Sequence, residues 1–379
     1  MVAIDSYAGG DGRLSPLSTP SATRAVLEAH GIGTKYTLGQ NFLVNDDVLK
    51  KIVALAEVGE NDRILEVGPG IGTLTIALLK HAAGVVAIER DPDLPAVLAD
   101  TLHPWREKFA LIEKDALDVT RDDIVAAMVE IGGDTGYPDR ASSAANETAQ
   151  WAVSQSEDCL SESGYPVAPP QEDLQLSLPS KLVANLPYAV AATVVLDYFE
   201  NFPFLDSATI MVQKEVADRM AAAVGTKNYG AYTVKLGLYA EPVGRFAVGP
   251  GNFFPPPRVD SAVIRLNRRV PLMADGAPAS PEVIAAAALM ADAAFTNRRK
   301  TIANSCKTYF SGRGPISLGA GPSAQEGAPG IVLPDGAAIA ERLAAIFDAA
   351  TIDPRRRGET LTQQEFLALG AALLKVTAA

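Results

Sequence analysis

The sequence is poor in the residues from which metal centres and disulfide scaffolds are built. Its 379 residues include two cysteines, Cys159 and Cys306, and three histidines. A disulfide framework and a Cys/His zinc cluster are therefore excluded, and we expect no metal. No apolar run approaches the roughly 18 residues of a membrane helix, which excludes a membrane protein. The first thirty residues carry acids and no apolar segment, so we expect no secretory signal and a reduced, cytoplasmic environment.

The net charge of −12 at first disfavours a nucleic-acid partner, because Lys and Arg must neutralise phosphate. The distribution of charge changes this interpretation. Residues 116–180 contain 12 acidic and 2 basic residues, whereas residues 181–310 contain 14 basic and 10 acidic ones. The excess negative charge is local, so the second segment remains compatible with RNA.

Two segments show no periodicity of a helix or a strand. Residues 132–180 are rich in Ser, Gly, Pro and acids, and we predict a mobile surface insertion there. Residues 311–336 predict a second flexible loop.

Outside these loops, short apolar runs alternate with helical patterns. The runs span residues 63–67, 85–88, 109–112, 182–184 and 208–212. The helical patterns begin with one capped by Asn45 and continue at 73–79, 94–102, 191–199 and 215–222. This alternation predicts a parallel α/β sheet, whose ligands bind at the carboxyl ends of the strands. After about residue 280 the chain is Ala-rich and helical, which predicts a second, smaller helical domain.

A glycine loop follows the first predicted strand. It reads Gly68-Pro69-Gly70-Ile71-Gly72, which differs from the G-x-G-x-x-G spacing of dinucleotide sites and lacks the Lys of a P-loop. Taken alone, the loop is equally well a structural turn. Glu89 closes the second strand and can accept both ribose hydroxyls of an adenosine, while Asp115 follows the third and can accept from an adenine amine. Carboxylates at the floor of a pocket suit the sulfonium cation of S-adenosylmethionine.

The turn Asn185-Leu186-Pro187-Tyr188 follows the fourth strand. The Asn185 side-chain oxygen can accept one hydrogen bond from an exocyclic amine. The carbonyl next to Pro187, whose direction the proline restricts, can accept the second. Tyr188 offers a flat face to a flipped-out base. Two acceptors would aim the nitrogen lone pair at a methyl group without a strong base, so catalysis would rest on positioning and electrostatics. The alternative is an Asx-type turn with a core tyrosine.

Eight motifs in this order resemble the small-subunit (16S) ribosomal RNA adenine N6,N6-dimethyltransferase family of the kasugamycin-sensitivity type. They lie at residues 38–43, 68–72, 89–91, 115–116, 185–188, 213–216, 254–263 and 298–302.

The resemblance implies a Rossmann-like class I methyltransferase sheet with a smaller helical C-terminal domain. We assign 1–35 to an N-terminal extension and 36–270 to the S-adenosylmethionine-dependent methyltransferase domain, with the insertion at about 130–180. Residues 271–379 form the helical domain, with its loop at about 311–336.

The resemblance also implies dimethylation of N6 of two adjacent adenosines in the 3′-terminal hairpin loop of small-subunit rRNA, in 30S biogenesis. The family's cofactor residues correspond to Asn41, Leu43, Gly68, Glu89, Asp115 and Asn185. Its catalytic residues correspond to Asn185, Pro187, Tyr188 and Phe253, of which Tyr188 and Phe253 would sandwich the base. We expect a cytoplasmic monomer acting on rRNA in a pre-30S particle, without DNA.

Several basic residues are candidates for RNA contact, although a basic run is more often a solvated face. They are Arg265, Arg268, Arg269, Arg298, Arg299 and Lys300. Two features depart from the family pattern. Only Lys35 precedes the Gly-Gln-Asn loop, and the acidic insertion is additional.

Three alternatives remain at this stage. The first is a methyltransferase of the same class with another substrate, namely large-subunit rRNA adenine, DNA adenine or a protein glutamine amide. The second is a non-catalytic RNA-binding ribosome-assembly or transcription factor, which the intact Asn185, Pro187 and Tyr188 disfavour. The third is a nicotinamide dehydrogenase, which the glycine spacing disfavours.

Overall fold

A computed structural model describes residues 12–33, 40–131, 178–313, 316–317, 330–331 and 337–378. Most of the predicted acidic insertion and of the predicted loop at 311–336 lies outside these residues. Within the second segment, the two short strands Ile316–Ser317 and Gly330–Ile331 pair antiparallel, where the sequence predicted only a loop. Among the described residues, no helix combines the length and the apolar composition that crossing a bilayer requires.

A seven-stranded mixed sheet forms the centre of the molecule, in the order β4-β3-β2-β5-β6-β9-β7. Its strands are β2 Arg63–Val67, β3 Gly84–Ile88, β4 Phe109–Ile112, β5 Lys181–Asn185, β6 Ser207–Gln213, β7 Ala240–Val248 and β9 Ser261–Arg268. A separate pair consists of β1 Phe42–Leu43 and β8 Phe253–Phe254. Strands β2 to β6 are parallel to one another, as the alternation of runs and helices predicted.

Twelve helices surround and extend the sheet in the described part of the chain. They are α1 Pro20–Ala29, α2 Asp46–Ala56, α3 Thr73–Leu79, α4 Leu94–Thr101, α5 Arg121–Glu130, α6 Ala191–Asn201, α7 Lys214–Met220, α8 Ala231–Gly237, α9 Pro281–Phe295, α10 Ile302–Phe310, α11 Ala337–Ala349 and α12 Gln363–Ala378. Asn45 caps α2 as predicted, since its side chain accepts from the backbone N–H groups of Asp47 and Val48.

The parallel strands are mostly apolar because both faces of the sheet are covered. Leu65 and Val67 of β2 pack into one hydrophobic cluster, and Ile64, which precedes Leu65, packs into a second cluster on the other face. Successive strand residues point to opposite faces, so a strand buried on both sides shows no apolar–polar alternation. This is why short continuous apolar runs identified these strands.

The two antiparallel strands β7 and β9 were not predicted. Strand β9 lies between β6 and β7 and is bonded to both. Its antiparallel direction brings its first residue, Ser261, opposite Gln213 at the carboxyl end of β6. The proline-rich segment before β9 is thereby attached to the edge of the sheet where the parallel strands end.

The N-terminal residues 12–33 pack onto the helices beside the central sheet. Leu17, Val26 and Leu27 are buried in the same cluster as α2 and α3. The described part of the predicted extension therefore shares a core with the sheet.

The C-terminal helices share a core with residues that precede them in the chain. A third cluster is formed by α9 to α12, and it includes Tyr229 and Val234, which precede the predicted boundary at residue 271. The Tyr229 hydroxyl donates to the carbonyl of Leu361 at 2.8 Å. The helical domain is thus packed against α8 and the residues just before it.

Gly370 permits the close approach of α12 to α9. A Cβ atom at Gly370 would lie 2.6 Å from both the Val283 carbonyl oxygen and the Ala287 nitrogen. These are backbone atoms and cannot rotate away. We predict that Gly370→Ala lowers the free energy of unfolding by about 1–3 kcal/mol, although alanine is the better helix former. Urea unfolding measures the effect.

The matched control is Gly33→Ala, since a Cβ atom there meets nothing within 4 Å. Equal stabilities of the two variants would contradict the packing argument.

Candidate active site

A cavity of about 480 Å³ opens at the carboxyl edge of the parallel strands. Eight of the nine predicted site residues line it, namely Asn41, Leu43, Gly68, Glu89, Asp115, Asn185, Pro187 and Tyr188. They come from four strand ends and from the N-terminal segment that pairs with β8. The carboxyl ends of parallel strands share one sheet edge, which is why residues distant in sequence meet here.

The glycine loop adopts a conformation that other residues rarely adopt. Gly68, Gly70 and Gly72 all have positive φ, at 70°, 60° and 88°. A Cβ atom on Gly68 would lie 3.4 Å from the Pro187 ring, and one on Gly70 would lie 3.1 Å from the Phe42 ring. The loop thus lies closely against the Asn-Leu-Pro-Tyr turn and against β1.

Glu89 is almost completely buried at the end of β3. Its Oε1 accepts from the backbone N–H groups of Arg90 and Asp91, each at 2.9 Å. Burial raises the pKa of Glu89, and the backbone hydrogen bonds partly oppose this rise. The carboxyl group is therefore fixed in direction, as recognition of a ribose diol requires.

Asp115 lies at the end of the neighbouring strand β4. Its Oδ1 accepts from the Leu117 backbone N–H at 3.1 Å, and its Oδ2 pairs with Arg90 Nη1 at 2.8 Å. These two contacts hold the pKa of Asp115 below its usual value. Asp115 is therefore an ionised acceptor at neutral pH.

Glu66 is a site residue that the sequence analysis missed. It lines the cavity and is buried, and its Oε2 has no hydrogen-bond partner in the described structure. Burial raises its pKa to about 8, and the nearby Glu89 carboxyl adds to the rise. Glu66 lies on β2, two residues before Gly68 of the glycine loop. Its position near the end of a predicted strand was the sequence feature that could have identified it. The hydroxyl of Thr73, also buried at the cavity wall, likewise has no partner there.

The Asn185 amide has a defined orientation. Its Nδ2 donates to the backbone carbonyl of Asn41 at 3.2 Å, which leaves Oδ1 as the group available to a ligand. Asn41 is held near Asn185 by the adjacent β1–β8 pairing and by Gln40, whose Nε2 donates to Asp91 Oδ2 at 2.7 Å. The N-terminal loop is thus tied to the cavity at two points.

Two backbone carbonyls of the turn, those of Pro187 and Leu186, differ in their hydrogen bonding. The Pro187 carbonyl accepts from the backbone N–H groups of Val190 and Ala191, which begins α6. No described residue donates to the carbonyl of Leu186, the residue that precedes Pro187. The acceptor predicted next to Pro187 is therefore the Leu186 carbonyl.

Tyr188 and Phe253 have different environments. Tyr188 is partly buried and lines the cavity, and its hydroxyl lies 2.5 Å from the Ser261 hydroxyl. Phe253 is only 3% exposed and packs in the core, where it pairs with Leu43 of β1. The structure does not bring Phe253 to the cavity lining, so its role as the second face of a base sandwich stays a prediction.

Three of the candidate RNA-contacting arginines have structural partners instead. Arg268 donates to the carbonyls of Phe199, Phe202 and Leu205, and so satisfies the C-terminal end of α6. Arg265 donates to the Leu55 carbonyl, and Arg269 donates to Gln363 Oε1. These contacts give the three side chains roles within the fold, and their contact with phosphate stays a prediction.

The remaining basic run lies on the surface of the helical domain. All three residues are exposed, and Arg298 also pairs with Glu359 at 2.9 Å and donates to the Thr226 carbonyl. RNA contact by this run stays a prediction. Among the described residues, no three His, Cys, Asp or Glu side chains are grouped so that they could hold a metal ion.

Comparison with known proteins places this site in a family. The family described as ribosomal RNA adenine dimethylase matches residues 33–314. A protein from Geobacillus sp. (strain WCH70), called ribosomal RNA small subunit methyltransferase A, is 33% identical over 360 residues, which cover 95% of this chain and 98% of that protein. A protein of the same name from Enterococcus faecalis (strain ATCC 700802 / V583) is 33% identical over 363 residues, covering 95% and 97%.

A solved structure supports the fold. A dimethyladenosine transferase from Plasmodium falciparum superimposes with a TM-score of 0.56 at 19% identity, covering 88% of this chain and 98% of that one. The predicted α/β methyltransferase fold is confirmed. With the family match over most of its length, the chain belongs to the ribosomal RNA adenine dimethylase family.

Proposed function

We propose that this protein transfers methyl groups from S-adenosylmethionine to N6 of two adjacent adenosines in the 3′-terminal hairpin loop of small-subunit rRNA. The observation that carries the proposal is the Asn185 amide, whose nitrogen is engaged by Asn41 so that its oxygen is the acceptor at the cavity. The small-subunit assignment is supported by the names of the two relatives described above. Action on a pre-30S particle, as a cytoplasmic monomer and without DNA, belongs to the same proposal.

The residues of the cavity fit S-adenosylmethionine. Glu89 would accept from the ribose hydroxyls and Asp115 from the adenine amine. The unpartnered Oε2 of Glu66 would accept from the ammonium group of the methionine part. The donor supplies a methyl group made electrophilic by its attachment to a sulfonium. A wall rich in carboxyl groups favours such a cation over the pyrophosphate of a dinucleotide.

The protein would position the target amine, and the reaction would need no strong base to deprotonate it first. Asn185 Oδ1 and the Leu186 carbonyl would each accept one N–H of the adenine N6 group. This would draw the nitrogen toward tetrahedral geometry and direct its lone pair toward the methyl carbon. The N–C bond would form as the S–C bond of the donor breaks, a neutral thioether would leave, and the nitrogen would then lose one proton to water. In the second transfer the monomethylated amine has one N–H left and would engage one of the two acceptors. Tyr188 would stack on the base and hold it out of the RNA. The increase in the rate of methyl transfer would come from preorganised dipoles in a partly dry cavity, because these dipoles need no reorientation during the reaction.

The intact acceptors and carboxylates argue against a non-catalytic RNA-binding factor. A large-subunit adenine methyltransferase would have similar chemistry. Incubation with labelled donor separates the two, since we expect incorporation into 30S particles and none into 23S rRNA. Incorporation into 23S rRNA alone would overturn the small-subunit assignment.

We predict that Asn185→Ala lowers the rate of 30S methylation by about 100-fold or more, because one of two fixed acceptors is lost. RNA affinity should change by less than about twofold, since the side chain faces the cavity. Radiolabel incorporation and filter binding measure the two effects. Asn201→Ala is the matched control, because that amide bonds to Asp197 at the other end of α6. Full activity of Asn185→Ala would refute the assignment.

We predict that Glu89→Ala raises the Kd for S-adenosylmethionine by about 10- to 100-fold, as expected for loss of hydrogen bonds to a charged acceptor. Isothermal calorimetry measures the change. Glu113→Ala is the matched control, since Glu113 is an exposed acid at the end of β4 that does not line the cavity. An unchanged Kd for Glu89→Ala would remove Glu89 from the site.

We predict that Glu66 releases a proton when the cofactor binds. With a pKa of about 8 the free side chain is largely protonated at pH 7, and an adjacent ammonium would lower that pKa. Binding would then release up to about one proton, so affinity should rise as the pH increases toward 8. Calorimetry at pH 7 in two buffers of different ionisation enthalpy measures the release, and Glu66→Gln should abolish it. The same release in Glu66→Gln would contradict this role.

A further inference from the structure

We propose that Ser261 is a positioning residue that fixes the Tyr188 ring in the orientation in which it stacks on the target base. The inference deepens the proposed function, on which it rests. It also gives a role to the Pro-Pro-Pro-Arg-Val-Asp-Ser segment, which the cofactor and acceptor assignments leave unexplained.

The contact is short and occurs at a buried atom. The hydroxyl oxygens of Tyr188 and Ser261 are 2.5 Å apart, and Ser261 is completely buried. No other side-chain hydrogen bond of either hydroxyl is present in the described structure. Each hydroxyl is thus the other's side-chain partner, and removing either one leaves a buried polar group unsatisfied.

Ser261 belongs to a rigid part of the sheet. It begins β9, opposite Gln213 of β6 on one side and Val248 of β7 on the other. The preceding residue is also fixed, because the Asp260 carbonyl accepts from the Lys214 backbone N–H at 2.9 Å. Tyr188, by contrast, lies in the connection between β5 and α6. The hydrogen bond therefore ties an aromatic ring on a turn to a strand bonded on both sides.

The hydrogen bond restricts the two torsions that set the ring plane. A tyrosine on a turn can otherwise rotate about χ1 and χ2 and present its edge to the cavity. Stacking needs the face, and a flipped base is correctly placed only if that face is fixed relative to Asn185. Ser261 would contact neither the substrate nor the methyl donor and would act only through Tyr188.

The test is a double-mutant cycle in steady-state methylation of 30S particles. We expect Ser261→Ala and Tyr188→Phe each to lower kcat by about threefold to tenfold, the range expected for one lost hydrogen bond. The double variant should be no slower than the slower single variant, because both changes remove the same contact. The Kd for S-adenosylmethionine should not change. Ser261→Thr, which retains the hydroxyl, should keep most of the activity.

The matched control is Ser305→Ala, which removes a completely buried serine whose hydroxyl donates to the Ala293 carbonyl in the helical domain. It should leave kcat unchanged. Independent, additive losses in the double variant would overturn the proposal, as would full activity of Tyr188→Phe. If Ser261→Ala fails to fold, Tyr188→Phe still tests the proposed hydrogen bond, since it keeps the ring and removes only the hydroxyl.

Failure of this inference is distinct from failure of the proposed function. Inactive Tyr188→Ala together with fully active Tyr188→Phe would retain stacking and reject Ser261 as its anchor. Full activity of Tyr188→Ala would reject stacking itself.

Discussion

The hydrogen bond from the Asn185 amide nitrogen to the Asn41 carbonyl joins residues 144 positions apart and orients the main acceptor of the site. An asparagine amide carries a donor and an acceptor of similar size, and an unrestrained side chain can present either one. One N–H of Asn185 donates to the Asn41 carbonyl, which fixes the orientation of the amide and leaves Oδ1 as the acceptor for a ligand. The pairing of β1 with β8 and the Gln40–Asp91 contact both support this arrangement, so the orientation of the proposed acceptor depends on the segment that precedes α2.

The second constraint is the crowding of three carboxyl groups in one cavity. Burial raises the pKa of Glu66 and of Glu89, whereas contacts with Leu117 and Arg90 lower the pKa of Asp115, so each group responds differently. Glu66 has no charged partner and is largely protonated at neutral pH. Glu89 is held by backbone N–H groups, and Asp115 by Arg90 and Leu117. A cationic ligand would stabilise the ionised forms of these carboxyl groups, which is the electrostatic argument for a sulfonium and an ammonium in the cavity.

The basic residues show why charge counts alone do not locate an RNA surface. Arg265, Arg268 and Arg269 stand in a positively charged segment, yet their donors bind backbone carbonyls and a glutamine within the fold. Arg268 in particular satisfies carbonyls at the end of α6, a role that depends on how β9 passes that helix end. Arg298, Arg299 and Lys300 are the exposed members of the set.

Local sequence patterns predicted the parallel strands, the glycine loop and the polar residues that follow the strands, because buried parallel strands are continuous apolar runs and ligand residues follow them directly at one sheet edge. Asn41 and Leu43, which also line the cavity, were identified only through the resemblance to the family. The tertiary structure set the remaining features. It placed β9 between β6 and β7, which brings Ser261 to Tyr188, and it buried Phe253 against β1. These outcomes depend on pairing between strands far apart in the chain, and the energy of such pairing lies in partners that no local pattern specifies.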